Sequence, residues 1–242
     1  MNTYQLNIQN LTTLWKIAGK TFSCYYTANE IHSVYLKNSS WPNRIWINTP
    51  LNHTLVNDLK KQMTNLKGVT FSYFNRSKQK SSLVGTPSFS IKSIQYGMHL
   101  DLRNMKKYQF HNSLNFIQVH NKEEAILWSD TFYQAFNYII SVETLLKTLK
   151  DIQYFLVFNQ EEIIGTVVLF NTYKIAGIHS LGIIPSQRNK GFASKIMKEI
   201  INLAIDKNMD TATLQASEMA KNMYLNLGFT FDFLMENYLL NE

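Results

Sequence analysis

The chain is 242 residues, 45% hydrophobic and 13% aromatic with only 17% charged residues, a composition that excludes a disordered or coiled-coil protein and suits one large globular domain or two modest ones. No apolar run approaches the roughly 18 residues of a spanning helix, the opening MNTYQLNIQN lacks the pattern of an export signal, and Cys24 is the only cysteine, so a cytoplasmic protein without disulfide, membrane or thiolate-metal features is expected. The net charge of +7 is divided unevenly: residues 1–114 hold 14 Lys and Arg against 3 acids, and residues 115–242 hold 10 against 14. The positive charges of the first half stand singly or in pairs. Their longest cluster, Arg76, Lys78 and Lys80, sits in a polar stretch, which reads as a solvated loop rather than a nucleic-acid surface.

In chain order, residues 1–114 carry weak signals. Leu11–Tyr26 and Leu55–Leu66 are helix-like; Ile31–Leu36, Arg44–Asn48, Val69–Phe74 and Phe89–Ser93 are strand-like. The polar, basic stretch 103–115 is the boundary candidate, giving an N-terminal domain over 1–112 and a second over 113–242. The second half is clearer. A strand at Asn115–Val119 precedes a helix over Lys122–Phe136, with Ala125, Trp128, Phe132 and Phe136 at helical spacing. Ser141 suits the start of a helix reaching Lys150. Asp151–Phe158 and Ile163–Asn171 are apolar and β-branched, joined by the polar turn Asn159–Glu162. Ile175–Ile184 is apolar on both faces, hence a central strand, and Pro185 stops it. A helix over Gly191–Lys207, a strand at Thr211–Gln215, a helix from Glu218 closed by Gly228 and a strand region Phe229–Leu240 complete a mixed α/β sheet.

The segment Ser186 to Ser194 lies between the buried strand and a helix. Gly191 and the small Ala193 at the helix start let the backbone approach a ligand, and aligned N–H groups at the positive helix end suit a pyrophosphate. Arg188 and Lys190 add complementary charge. Taken alone, Arg-x-x-Gly-x-Ala also describes an ordinary turn with solvated basic residues.

The segment resembles the acyl-CoA pyrophosphate loop of the GNAT superfamily of N-acetyltransferases, with Arg188, Gly191 and Ala193 meeting Q/R-x-x-G-x-G/A. Leu181–Pro185 is similar to the end of that family's fourth strand, and Ala220, Tyr224, Gly228 and Phe229 resemble its A-x-x-x-Y-x-x-x-G-F motif. Ser217 stands where the family often has Asn. The resemblance covers about residues 115–242. It implies a GNAT-like α/β fold and transfer of an acetyl group from acetyl-CoA to the primary amine of a small-molecule acceptor, by direct attack in a ternary complex and without a metal. Backbone groups of Leu181, Gly182 and Ile183 would hold the pantetheine arm and the thioester carbonyl, and Arg188, Asn189, Lys190, Gly191, Phe192, Ala193 and Ser194 would cradle the pyrophosphate. Tyr224 would protonate the departing thiolate.

His179 precedes Leu181 by two residues, on the same face by strand parity. Its ordinary pKa near 6.5 suits a base, and some aralkylamine N-acetyltransferases place a histidine similarly. Both residues also fit structural roles, Tyr224 packed under the sheet and His179 buried against a backbone partner. Glu143 is a weaker candidate for recognising a cationic amine. The segment Trp41-Pro42-Asn43-Arg44 resembles the start of a degenerate GNAT-like half, which lacks a second pyrophosphate loop and would help wall the acceptor site. The alternative from another class is a CoA-binding regulatory or partner-binding protein without turnover.

Overall fold

The computed structural model describes residues 2–77, 81, 87–111 and 114–241. Lys78 and Lys80 of the basic cluster, and the boundary residues Asn112 and Ser113, lie outside the described residues. The N-terminal half contains α1 (Thr3–Thr21), β1 (Tyr25–Ala28), β2 (Ile31–Val34), β3 (Arg44–Ile47), α2 (His53–Asn65), β4 (Thr70–Asn75) and β5 (Phe89–Asp101). The C-terminal half contains β6 (Asn115–Gln118), α3 (Lys122–Phe136), α4 (Val142–Thr148), β7 (Gln153–Asn159), β8 (Glu162–Thr172), β9 (Ile175–Ile183), α5 (Phe192–Asp206), β10 (Thr211–Ser217), α6 (Glu218–Asn226) and β11 (Thr230–Leu240). No helix among the described residues is long and apolar enough to cross a membrane.

All eleven strands form one sheet in the order β1-β2-β3-β4-β11-β5-β10-β9-β8-β7-β6. The order is nearly symmetric about its centre. Three antiparallel strands in the N-terminal half and four in the C-terminal half lead through a helix to a parallel strand: β3 pairs with β4 across α2, and β9 with β10 across α5. The last strand of each half crosses to the other. β5 runs antiparallel to the whole of β10 through Gln95–Asp101 and also to β11, while β11 completes the edge of β4. The two halves therefore share one continuous hydrogen-bonded sheet.

Helices cover both faces of the sheet. Leu14 of α1 joins Trp128, Phe132 and Leu145 of α3 and α4 on one face, and Leu11 and Trp15 join Trp46, Phe233 and Met235 there. On the other face α5 and α6 pack Ile196, Ile200 and Tyr224 against Leu100, Ile178 and Leu214, and α2 packs Leu59 against Phe71 and Tyr238.

The helix expected at Leu11–Tyr26 instead runs over Thr3–Thr21, and its expected tail is strand β1. Asn2 and Gln5 form a reciprocal capping box, with hydrogen bonds of 3.1 and 3.3 Å. The first turns escape apolar periodicity because their buried residues include Asn7 and Asn10. β5, expected as Phe89–Ser93, extends to Asp101. Polar residues and Gly97 break its alternation, and the glycine is required by packing: a Cβ there would lie 2.2 Å from the Phe233 ring.

Gly97→Ala is therefore expected to overpack the centre of the sheet and to destabilise the protein by about 1–3 kcal/mol. Calorimetry checks this as a Tm several degrees lower.

Candidate active site

β9 runs into a 3-10 turn at Pro185–Gln187, after which Arg188 is extended and Asn189 is left-handed at φ 61°. Gly191, at φ 79°, is the N-cap of α5 and offers no side chain to the helix. The first repeated helical bond is from the Lys195 N–H to the Gly191 carbonyl at 3.2 Å, so the N–H groups of Phe192, Ala193 and Ser194 point outward unpaired. This terminus is open for an anion. The matching helix of the N-terminal half is closed, because the Asn52 side chain accepts from the Leu55 N–H at 2.9 Å. Arg188 donates from Nε to the Ile183 carbonyl at 3.1 Å and from Nη2 to the Ala135 carbonyl at 2.9 Å. Its guanidinium thus straps the loop to the ends of β9 and α3. Lys190 is exposed, with Nζ 2.9 Å from Gln187 Oε1.

β9 and β10 pair only over Ile175–Gly177 and Thr211–Thr213, then part. Beyond that point β10 stays with β5 and β9 stays with β8, which leaves the backbone edge of Ile178–Ile183 without a strand partner on the β10 side. At the same place β9 carries a bulge: the register slips between Thr166 and Val168, and Ser180 is left-handed at φ 52°. The extra residue inverts the expected parity. Leu181 and Ile183 turn to the α5 face, whereas His179 turns to the α1 face, where it meets Asn10. The two do not share a face as simple alternation requires. Gly182 lets α3 approach, since a Cβ there would lie 2.3 Å from the Phe136 ring.

Tyr224, on α6, is 7% exposed and packs edge-on to Phe229 at 5.7 Å. Burial pushes its phenol well above the ordinary range, so it holds its proton. Its hydroxyl is not among the inaccessible polar atoms, and it makes no side-chain hydrogen bond among the described residues.

His179 is differently placed. It is 9% exposed, with Nε2 3.0 Å from Asn10 Oδ1. The amide nitrogen of Asn10 donates to the Phe170 carbonyl at 2.9 Å and to Thr172 Oγ1 at 2.8 Å, so the imidazole Nε2 is the donor. Gly177 makes the room, because a Cβ there would lie 1.8 Å from Asn10 Oδ1. Burial pushes the imidazole down to about 4, against an opposing hydrogen bond with Gln215. Gln215 in turn donates to Asn7 Oδ1 at 2.6 Å. A group with this pKa has little affinity for a proton near neutrality, which does not suit the base expected at this position. Asn7, Asn10 and Gln215 carried no motif; the only signal in the sequence is two asparagines three apart in an otherwise amphipathic helix.

A cavity of about 1040 Å³ opens beside the parted strands. It is lined by Ser217 at the end of β10, by Phe136 at the end of α3 with Asn137–Ile139 after it, and by residues 37–44, Lys92 and Gln95 of the N-terminal half. Glu143 does not reach it. Glu143 pairs with Lys147 at 2.7 Å and lines a different, smaller cavity beside Phe22. A further cavity of about 750 Å³ lies between α1 and the ends of β3 and β4. Among the described residues no group of three His, Cys, Asp or Glu could hold a metal ion.

The acetyltransferase (GNAT) family profile matches residues 114–229. Those residues are a GNAT-family domain. No curated protein sequence matches the chain. Among solved structures, a GCN5-related N-acetyltransferase from Kribbella flavida superposes with a TM-score of 0.67 at 13% identity, covering 96% of this chain and 95% of that one. A second, from Sphaerobacter thermophilus, gives 0.62 at 13% identity over 86% and 76% of the two chains. A GCN5-related N-acetyltransferase-like protein from Streptococcus suis gives 0.57 at 10% identity over 97% and 100%. At these identities the likeness is one of fold. Because it runs over nearly the whole chain, it takes in the N-terminal half together with the GNAT domain.

The buried histidine of the GNAT domain couples stability to pH. Unfolded, the imidazole titrates near 6.5, and folded near 4. Between these values the unfolded chain binds the extra proton, so this contribution is full above about 6.5 and is lost as pH falls toward 4. His179→Gln is expected to flatten the stability profile across that window, as measured by denaturant unfolding at a series of pH values.

Proposed function

We propose that the GNAT domain transfers an acetyl group from acetyl-CoA to the primary amine of a small-molecule acceptor, by direct attack within a ternary complex. The observation that carries this reading is the parting of β9 from β10 next to a helix whose N-terminus has no side-chain cap. That arrangement suits a long ligand with a pyrophosphate at one end and an amide-bearing arm at the other. The unpaired N–H groups of Phe192, Ala193 and Ser194 would hold the pyrophosphate. Asn189 and Gly191 shape the loop through left-handed backbone, and Arg188 holds it in place through the carbonyls of Ile183 and Ala135. The free edge of Leu181–Ile183 would extend its pairing to the arm, as a strand would.

Acetyl-CoA supplies the acetyl group as a thioester whose carbonyl carbon the amine attacks. A C–N bond forms and the C–S bond breaks; the amine gives up one proton and the thiolate needs one. Tyr224 Oη supplies the thiolate's proton, and the amine's proton leaves to water, from which the phenol is recharged. Burial raises the phenol, and it raises a thiol in the same surroundings likewise, so the transfer is not defeated by the high pKa of Tyr224. His179 serves in this reading as a positioning residue, holding α1 against β9 at the bulge.

Release of free thiol from acetyl-CoA, measured across a panel of primary amines with binding followed by calorimetry, tests the reading. Release with any amine supports it; binding without release across the panel leaves a CoA-binding protein. Tyr224→Phe is expected to lower kcat by roughly 10²–10⁴ while acetyl-CoA still binds. Gly191→Asp, which sets a carboxylate and a strained backbone at the open helix end, is expected to abolish acetyl-CoA binding.

A further inference from the structure

The cavity beside the parted strands is cationic. Lys37, Arg44 and Lys92 line it, and no Asp or Glu among the described residues does. Arg44 is half-buried, lies over the Trp15 ring at 5.7 Å, and donates from Nη1 to Asn237 Oδ1 at 3.1 Å. Lys92 reaches Thr70 Oγ1 from Nζ at 3.3 Å. Neither takes part in any of the ion pairs found among the described residues. Desolvation, and after it the Arg44 charge alongside, hold the Lys92 ammonium below its ordinary range. Arg44 and Lys92, neighbouring cations without a carboxylate, repel each other in a concave site that Lys37 also lines, and each keeps N–H donors in excess of its one neutral partner. An anion entering the cavity would relieve that repulsion.

The same cavity adjoins the parted strands through two of its lining residues. Phe136, which lines it, packs on Gly182 in the free edge of β9, and Ser217, which also lines it, ends β10. We infer that the acceptor is a primary amine that also carries an anionic group, a carboxylate or a phosphate, and that Arg44 and Lys92 hold that group while the amine faces the parted strands. This rests on the transferase reading of the C-terminal half and deepens it. The cationic wall also disfavours an ammonium and so releases the amine's proton. The attacking nitrogen becomes neutral through the field of the pocket, without requiring a proton acceptor at His179. Diamines, polyamines and aminoglycosides, which bring only further positive charge, are excluded.

The test is calorimetric binding in the presence of CoA, with thiol release from acetyl-CoA measured in parallel. The probes are phenylalanine against its amide, O-phosphoethanolamine against ethanolamine, and putrescine. Anionic amines are expected to bind at least about ten-fold more tightly than their neutral partners, and the carboxylate and phosphate arms tell which anion is read. Lys92→Gln is expected to raise KM for the preferred anionic amine about ten-fold or more, with the loss on KM rather than on kcat. Arg44→Lys and Arg44→Gln, each checked for an unchanged melting curve, should lower the preference in that order. Putrescine or a neutral amine binding as tightly as the anionic ones, a preference indifferent to Lys92→Gln in a folded protein, or no binding by any anionic probe would each overturn the inference. Binding of an anionic amine without thiol release would keep the anion site and overturn the transferase reading instead.

Discussion

The exchange of final strands between the two halves is the constraint on which the rest of the molecule depends. A β-strand must satisfy its backbone groups along both edges when it is buried, and β5 does so only by lying between β10 and β11. β11 is likewise completed by β4. Neither half could close its sheet without a strand from the other, so the cavity walls contributed by Trp41–Arg44 and Lys92 are held in fixed relation to the GNAT domain. α1 adds to this from above, with Asn7 and Asn10 bonded to backbone or side-chain groups of β5, β8, β9 and β10.

Against that rigid frame the site is made by local departures from regular pairing. β9 parts from β10 after three residue pairs, bulges at Ser180, and hands over to a helix that begins with a glycine. Each departure exposes backbone donors or acceptors that a regular sheet or a capped helix would use up. The N-terminal half repeats the topology of β9-α5-β10 in β3-α2-β4, yet Asn52 caps the helix there. Its role is therefore architectural at that terminus, and its chemical contribution lies in the cations that it presents to the shared cavity.

Much of the C-terminal half was legible from its residues. Helices α3 and α5 bury one apolar stripe each, and β9 is apolar but for His179 and Ser180 and followed by Pro185, so periodicity located them within a residue or two. The glycine at 191 carried a motif placed at a helix start, where the fold leaves the terminus without a side-chain cap. Less was legible where polar residues are buried. α1 conceals its first turns behind Asn7 and Asn10, and β5 conceals its length behind Gly97 and the cross-strand partners of its polar residues.

Taken by itself, the sequence determined the order of elements in the second half, the open helix terminus at Gly191 and the family resemblance, because these depend on residues near one another in the chain. The tertiary structure decided what depends on residues far apart. It turned His179 under α1 through one bulge residue, bonded it to Asn10, and lowered its proton affinity by burial. It also exchanged β5 and β11 between halves and brought Arg44 and Lys92 to one cavity together with Phe136 and Ser217. Strand parity, burial and the sum of charges around a pocket are properties of packed neighbours, and no local pattern encodes them.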